Sequence, residues 1–385
     1  MHPASARTFI FVTVFVDLIG YGIVIPLLPL FVQQQIRGGT VVGLLGALYA
    51  CAQALGGPFL AGLSDRYGRR PILLICLAGT AGAYLLLANA TNLWLIGLAI
   101  LLDGFTGGNM STAQAYIADS TPPDARAQRF GLVSAAYGLG MMAGPVIGGL
   151  LSHYGLFAPA LAAAALAAAN LLFGLIVLPE SLPFERRSLT LHVRLNPLSQ
   201  LYATMQRPVL RPLLLTVFLL NLAFSGLQSN FPIFSAERFG WNAQTNAFFY
   251  AFVGVCAVVT QALLLARLRP LFGEQRLATG GIALMAVGLG LVALVPVSWL
   301  LYPLVAILAL GSNLSIPCLT ALLSTRVGES EQGQLMGSLQ SVLNLALIGG
   351  PLIAGFAFDT LGSGTPYLIG SVIALGALEM SRRVE

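Results

Sequence analysis

Residues 62–71 run Gly62-Leu63-Ser64-Asp65-Arg66-Tyr67-Gly68-Arg69-Arg70-Pro71, with four charges in ten positions. The stretch lies between two apolar runs at about 41–63 and 71–91, each long enough to cross a hydrocarbon core of about 30 Å as a helix. Its glycines permit a tight reversal, and Pro71 suits the first turn of the next helix. Together they make the charged turn of a membrane hairpin. A plain topology anchor would need the arginines but neither Asp65 nor the spacing of Gly62 and Gly68.

The same pattern continues along the chain. With 57% hydrophobic residues, 9% charged residues and a mean hydropathy of +0.85, the composition lies outside the range of soluble domains. Twelve spans are predicted. Span 1 begins near Phe9; it is too long, with too few basic residues before it, for a cleavable signal. Spans 2 to 6 lie at about 41–63, 71–91, 93–117, 129–152 and 156–178, and spans 7 to 12 at about 212–235, 245–266, 277–295, 298–323, 335–357 and 364–380. The fold expected is an all-α integral membrane protein. Arginine alone supplies basic charge, since there is no lysine, and only Arg37 and Arg238 fall on the side opposite the other seventeen. That bias puts both termini in the cytoplasm and requires an even number of spans. The net charge of +5 therefore has a membrane explanation, and no nucleic-acid partner is expected. Cys51, Cys76, Cys256 and Cys318 lack metal-site or redox spacing, and His2, His153 and His192 fall at span ends or in loops.

Between spans 6 and 7, hydropathy falls and prolines and arginines accumulate. This divides the chain into a six-helix bundle at 1–178, a cytoplasmic linker at 179–211 and a second bundle at 212–385. The linker reads as a solvated basic connector beside anionic headgroups. The halves match at an offset near 205: Gly108-Asn109-Met110-Ser111 recurs as Ser312-Asn313-Leu314-Ser315, residues 144–149 as 350–355, and the turn 66–70 as 271–275. Duplicated bundles place a substrate site near the midplane between halves that rock.

The 62–71 turn resembles the hallmark cytoplasmic loop of the major facilitator superfamily. Asp17 to Pro29 in span 1, Gly140-x-x-x-Gly144-Pro145-x-x-Gly148-Gly149 in span 5, Asp103 to Asn109 and Ala115 to Asp119 in span 4, and Glu237 to Asn242 after span 7 narrow the likeness. Together they resemble its drug:proton antiporter branch, which includes the tetracycline efflux pumps. The resemblance implies a gating latch built from Gly62, Asp65, Arg66, Gly68, Arg69, Arg70 and Asp119. In it Asp65 faces a helix N-terminus and Arg69 pairs with Asp119, both favourable arrangements. It also implies that the span 5 glycines shape the contact between halves. Independently of family, Gly140, Gly144 and Gly148 share one face and allow a second backbone close.

Asp17 and Asp103 lie about eight and ten residues inside their spans. An ionised carboxylate at that depth needs a partner or a watery cavity, which makes both candidates for proton coupling; satisfied structural acids are the plainer reading. Helical spacing puts Asp103, Met110 and Gln114 on one face of span 4, Asn221, Ser225 and Gln228 on one face of span 7, and Asn313, Pro317, Thr320 and Ser324 on one of span 10. With Tyr21 and Asn344 these are the candidate substrate contacts, interhelical hydrogen bonding being the alternative. Few charges and many apolar residues suit an amphipathic substrate. The branch usually has arginine where this chain has Ile100, and tetracycline pumps tend to carry a histidine in span 8 and an acid in span 9, both lacking here. Tetracycline itself is therefore not the expected substrate.

The function expected is export of small drug-like compounds by alternating access in exchange for protons, by a monomer in the inner membrane. An uncoupled transporter of a sugar, metabolite or lipid-like molecule, or a non-transporting membrane sensor, shares many of these features. No nucleophile with a base, metal cluster or phosphate loop is present, so neither enzyme nor cofactor is expected.

Overall fold

The computed structural model describes residues 3–33, 35, 38–121, 136, 138–140, 142–187, 197–328 and 331–382. Among these every regular element is helical, the only open architecture that satisfies backbone polar groups within lipid. The chain is a multi-pass membrane protein. Among the described residues nine helical stretches meet the length and hydropathy of a span. One of them, Ala243–Leu294, holds two spans that meet at Gly273 (φ 74°, ψ 165°). The helix Thr365–Arg382 and helical residues 142–151 complete the expected twelve. Most of the start of span 5 and linker residues 188–196 lie outside the described residues, as do Arg37, Arg126, Arg129, His192 and Arg194. Large apolar side chains are exposed on the spans, Trp94 at 89% and Ile176 at 82%.

Several spans depart from ideal helix where their sequence requires it. Span 1 runs from Pro3 to Val24, tightens into a 3₁₀ turn at Ile25–Leu27 and resumes at Leu28–Gln33. Pro26 and Pro29 remove backbone donors there. Span 2, Gly39–Tyr67, and span 3, Arg69–Ala88, are joined by Gly68 alone. Its φ of 106° and ψ of 156° are open to glycine and poorly to other residues. Gly273, its partner in the internal match, adopts nearly the same backbone conformation, so the duplication is visible in geometry as well as in sequence. Span 4 is interrupted between Leu93–Thr106 and Met110–Ser120 by a 3₁₀ turn, Gly107–Asn109. Span 8 contains a π turn, Thr260–Leu264. Irregular turns of both kinds inside helices recur at functional sites.

The residues cluster into two compact units. The first comprises Met1–Gln35, Leu48–Leu195 and Ala243–Ala251, the second Ile36–Ala47, Asn196–Asn242 and Phe252–Glu385. In the first unit, span 3 packs most extensively on spans 6 and 4, and span 1 on span 6. A core of Val14, Leu18, Leu73, Ala113, Tyr116 and Ile117 lies among them. In the second unit span 7 packs on spans 11 and 12, and span 9 on spans 10 and 12.

Small residues let helices meet backbone to backbone in each unit. A Cβ added at Gly144 would stand 2.5 Å from the carbonyl carbon of Gly22, joining span 5 to span 1. A Cβ at Gly350 would stand 2.6 Å from the Leu222 carbonyl oxygen, joining span 11 to span 7. The two pairings, Gly22 with Gly144 and Gly226 with Gly350, are the same contact in each repeat.

Candidate functional site

In the first unit the polar centre forms around the break in span 4. Asp103 is buried at 8% exposure, one turn before the 3₁₀ segment, and Tyr84 of span 3 lies close to its carboxyl. Asn109, the last residue of that segment, donates from Nδ2 to Asp17 Oδ2 at 3.2 Å. The other carboxyl oxygen, Oδ1, is buried and has no hydrogen-bond partner among the described residues. The two acids lie within electrostatic range of each other. Tyr21 packs its ring 6.0 Å from that of Tyr49 beside them. Among the described residues no arginine enters this centre, and Ile100 is buried at 4%. An acid with one oxygen held and the other bare must rearrange its hydrogen bonds whenever it gains or loses a proton.

The charged turn forms a second cluster. Arg69 is buried at 8% although it carries a full charge. Its Nε lies 3.0 Å from Asp119 Oδ2, and its Nη1 bonds both Ser64 Oγ, at 2.6 Å, and Asp65 Oδ1, at 2.5 Å. The pairing of Arg69 with Asp119 is as expected. Asp65, expected to face a helix N-terminus, pairs with Arg69 four positions on, across the single-residue reversal at Gly68. Arg66 lies over the Tyr67 ring at 5.3 Å, Arg70 donates to the Leu175 carbonyl at 2.8 Å, and Gly62 is buried.

Sequence reasoning missed Glu180, which it left in the solvated linker. This acid accepts from the backbone N–H groups of Arg69 at 2.9 Å and Arg70 at 3.3 Å, so it caps span 3 in place of a local side chain. It also accepts from Ser181 and Leu182 and pairs with Arg187 at 3.6 Å. A Cβ at position 68 would collide with it at 2.3 Å. The one available signal was an acid directly after an apolar span and before a run of arginines. Tyr84 and Tyr49 were missed because an isolated tyrosine in an apolar span reads as packing.

The polar stripes fare unevenly. Met110 packs against the first unit's core, whereas Gln114 is exposed. Asn221 bonds back to the Val217 carbonyl at 2.8 Å, and Gln228 is partly buried. Ser225 is buried at 4%, and its hydroxyl donates to Ala346 O at 2.9 Å at the tight contact with span 11. This is the interhelical alternative. Asn313 Oδ1 accepts from Gln261 Nε2 at 2.8 Å, and Asn344 Oδ1 from Gln340 Nε2 at 3.0 Å. Both glutamines are exposed, and neither stood among the sequence candidates. Of the span 5 glycines, Gly140, Gly144 and Gly148 face span 1, Gly149 faces Ala247, and Pro145 lies beside Gly22. Among the described residues no cluster of potential metal ligands occurs.

The family description that matches this chain is Major Facilitator Superfamily, over residues 10–270 and 262–380. Tetracycline resistance protein, class C, of Escherichia coli is 36% identical, covering 100% of this chain and 98% of its own. The class G protein of Vibrio anguillarum is 34% identical, covering 95% and 94%. Among solved structures, that of the human organic anion transporter MFSD10 (TETRAN) superposes with a TM-score of 0.73 at 25% identity, covering 99% of this chain and all of that one.

Proposed function

As the chain belongs to the major facilitator superfamily, we propose that it is a secondary transporter that exports small amphipathic, drug-like compounds by alternating access in exchange for protons. The observation that carries this reading is the Asp17–Asn109 contact beside Asp103, a partly buried and a buried acid with no arginine near them among the described residues. The halves at 1–178 and 212–385 alternate about the substrate, linked by 179–211. Substrate is taken from the cytoplasm or inner leaflet and leaves outward as protons pass inward through Asp17 and Asp103. Arg69, Asp65 and Asp119 latch the turn between spans 2 and 3. The arginine bias supports cytoplasmic termini and a place in the inner membrane, and the transporter works as a monomer. The chain is a transporter and not an enzyme.

The test is substrate-triggered proton movement in liposomes that contain the purified protein and a trapped pH-sensitive dye, with Asp103→Asn beside the native chain. Proton movement with substrate in the native protein, lost in the variant while substrate still binds, supports exchange. Full coupling in Asp103→Asn rejects this role for Asp103. Ile100 favours one second reading, uncoupled transport: substrate flux with no proton movement in the native chain selects it.

A further inference from the structure

A carboxamide exposed on a membrane span faces either hydrocarbon, at a cost of several kcal/mol for lost hydrogen bonds, or water and ligand. Gln261 is such a group. It lies on span 8 about 9 Å in from Arg267, inside the π turn Thr260–Leu264. Thr260, its neighbour, is buried and returns its hydroxyl to the Cys256 carbonyl at 2.7 Å. The polar outward position of this turn therefore belongs to Gln261.

Asn313 fixes that side chain. Asn313 Nδ2 donates to the Ala309 carbonyl of its own helix at 2.8 Å, which leaves Oδ1 to accept from Gln261 Nε2 at 2.8 Å. The orientation of Asn313 is set by its backbone, and that of Gln261 by Asn313. Gln261 Oε1 has no hydrogen bond among the described residues, and one Nε2 hydrogen is left over. The internal match sharpens the point, because Asn313 corresponds to Asn109. In the first repeat that asparagine holds an acid, Asp17; in the second it holds a neutral amide.

We propose that Gln261, oriented by Asn313 on the π turn, is a hydrogen-bonding site for substrate. It recognises an uncharged compound that carries a carbonyl next to a hydroxyl or amide N–H, whose remaining surface is held by apolar contact. The assignment rests on the export reading and divides the labour: the first repeat handles protons, the second handles neutral polar groups.

The test uses binding to the purified full-length protein in detergent without a proton gradient, so it is blind to coupling. Two probes are compared: chloramphenicol, neutral with amide and hydroxyl groups, and tetraphenylphosphonium, which has no hydrogen-bonding group. Gln261→Leu is expected to weaken chloramphenicol binding about tenfold, the value of one or two hydrogen bonds, and to leave tetraphenylphosphonium unchanged. Asn313→Ala, which frees Gln261 without deleting it, gives a smaller loss of the same selectivity. Parallel loss of both probes, or no loss of either in both variants, overturns the assignment. Native protein that binds neither probe defeats the export reading and the assignment with it, an outcome recognisable without any variant.

Discussion

The Asp359 carboxylate accepts hydrogen bonds from the backbone N–H of Gly39 at 2.6 Å and of Thr40 at 2.8 Å, so the last turns of span 11 cap the first turn of span 2. Gly355 and Gly39 pack backbone to backbone beneath it. A carboxylate cap of this kind contributes about 1 kcal/mol. Asp359→Ala is expected to lower the thermal midpoint in detergent accordingly, and Asp359→Asn, which keeps an acceptor, by less. Equal midpoints for Asp359→Ala and the native chain would show that the contact adds nothing to stability.

Arg69 serves two acids from a buried position, so the order of its variants is fixed. Removal of Arg69 leaves Asp65 and Asp119, 51% and 28% exposed, facing each other without a cation, at a cost of about 1–2 kcal/mol. Asp119→Asn leaves Arg69 paired with Asp65, and Asp119 is itself 28% exposed; about 1 kcal/mol is expected. Thermal unfolding of Arg69→Ala, Asp119→Asn and the double variant checks the order, with the double variant no worse than Arg69→Ala alone.

Glycine pairs in the two repeats should respond alike. A methyl at Gly144 or Gly350 meets backbone atoms well inside contact distance, and overpacking of this kind costs about 1–3 kcal/mol. Gly144→Ala and Gly350→Ala are each expected to reduce transport in liposomes and lower the thermal midpoint. Gly376→Ala, on span 12 with open space around it, is the matched control and is expected to behave as native.

Arg207 meets Glu331 as a two-pronged ion pair, 2.7 and 2.9 Å, between the residues after linker helix Pro197–Met205 and the start of span 11. The hydrogen bond from Arg207 holds the Glu331 carboxyl below its ordinary value of 4.5. A depressed acid contributes stability in full above its ordinary value and loses it as pH falls through the lowered one. Stability of the native chain should therefore drop more steeply than that of Arg207→Gln as pH falls below 4.5. The difference will be small, since both groups are well exposed. Thermal unfolding across that acid range decides it.

Spans, duplication and the charged turn were legible in the sequence because each rests on a local signal: hydropathy over about 20 residues, a repeated string, a cluster of charges. The place of Asp17 and Asp103 inside their spans, and the pairing of Arg69 with Asp119, were legible for a related reason, since charge is scarce in this chain and every instance stands out. Glu180 was not, because it acts on a helix 111 positions earlier and its own surroundings look like linker. Ser225 and Gln261 show the limit from both sides. Helical spacing selects a face but does not tell which polar group on it is taken up by a neighbouring carbonyl. Nor does it foresee a π turn, which shifts the face by one residue.

Glu180 also bears on how the protein is made. Span 3 leaves the ribosome and enters the bilayer with bare N–H groups at its start, and 111 residues must follow before the side chain that covers them exists. Insertion of the hairpin of spans 2 and 3 and its final locking are thus separate events in time. The hairpin acquires its Glu180 cap only once spans 4, 5 and 6 have been made and the first acid after them has emerged. A chain arrested before position 180 would hold every residue of the 62–71 turn and still lack the part that closes it.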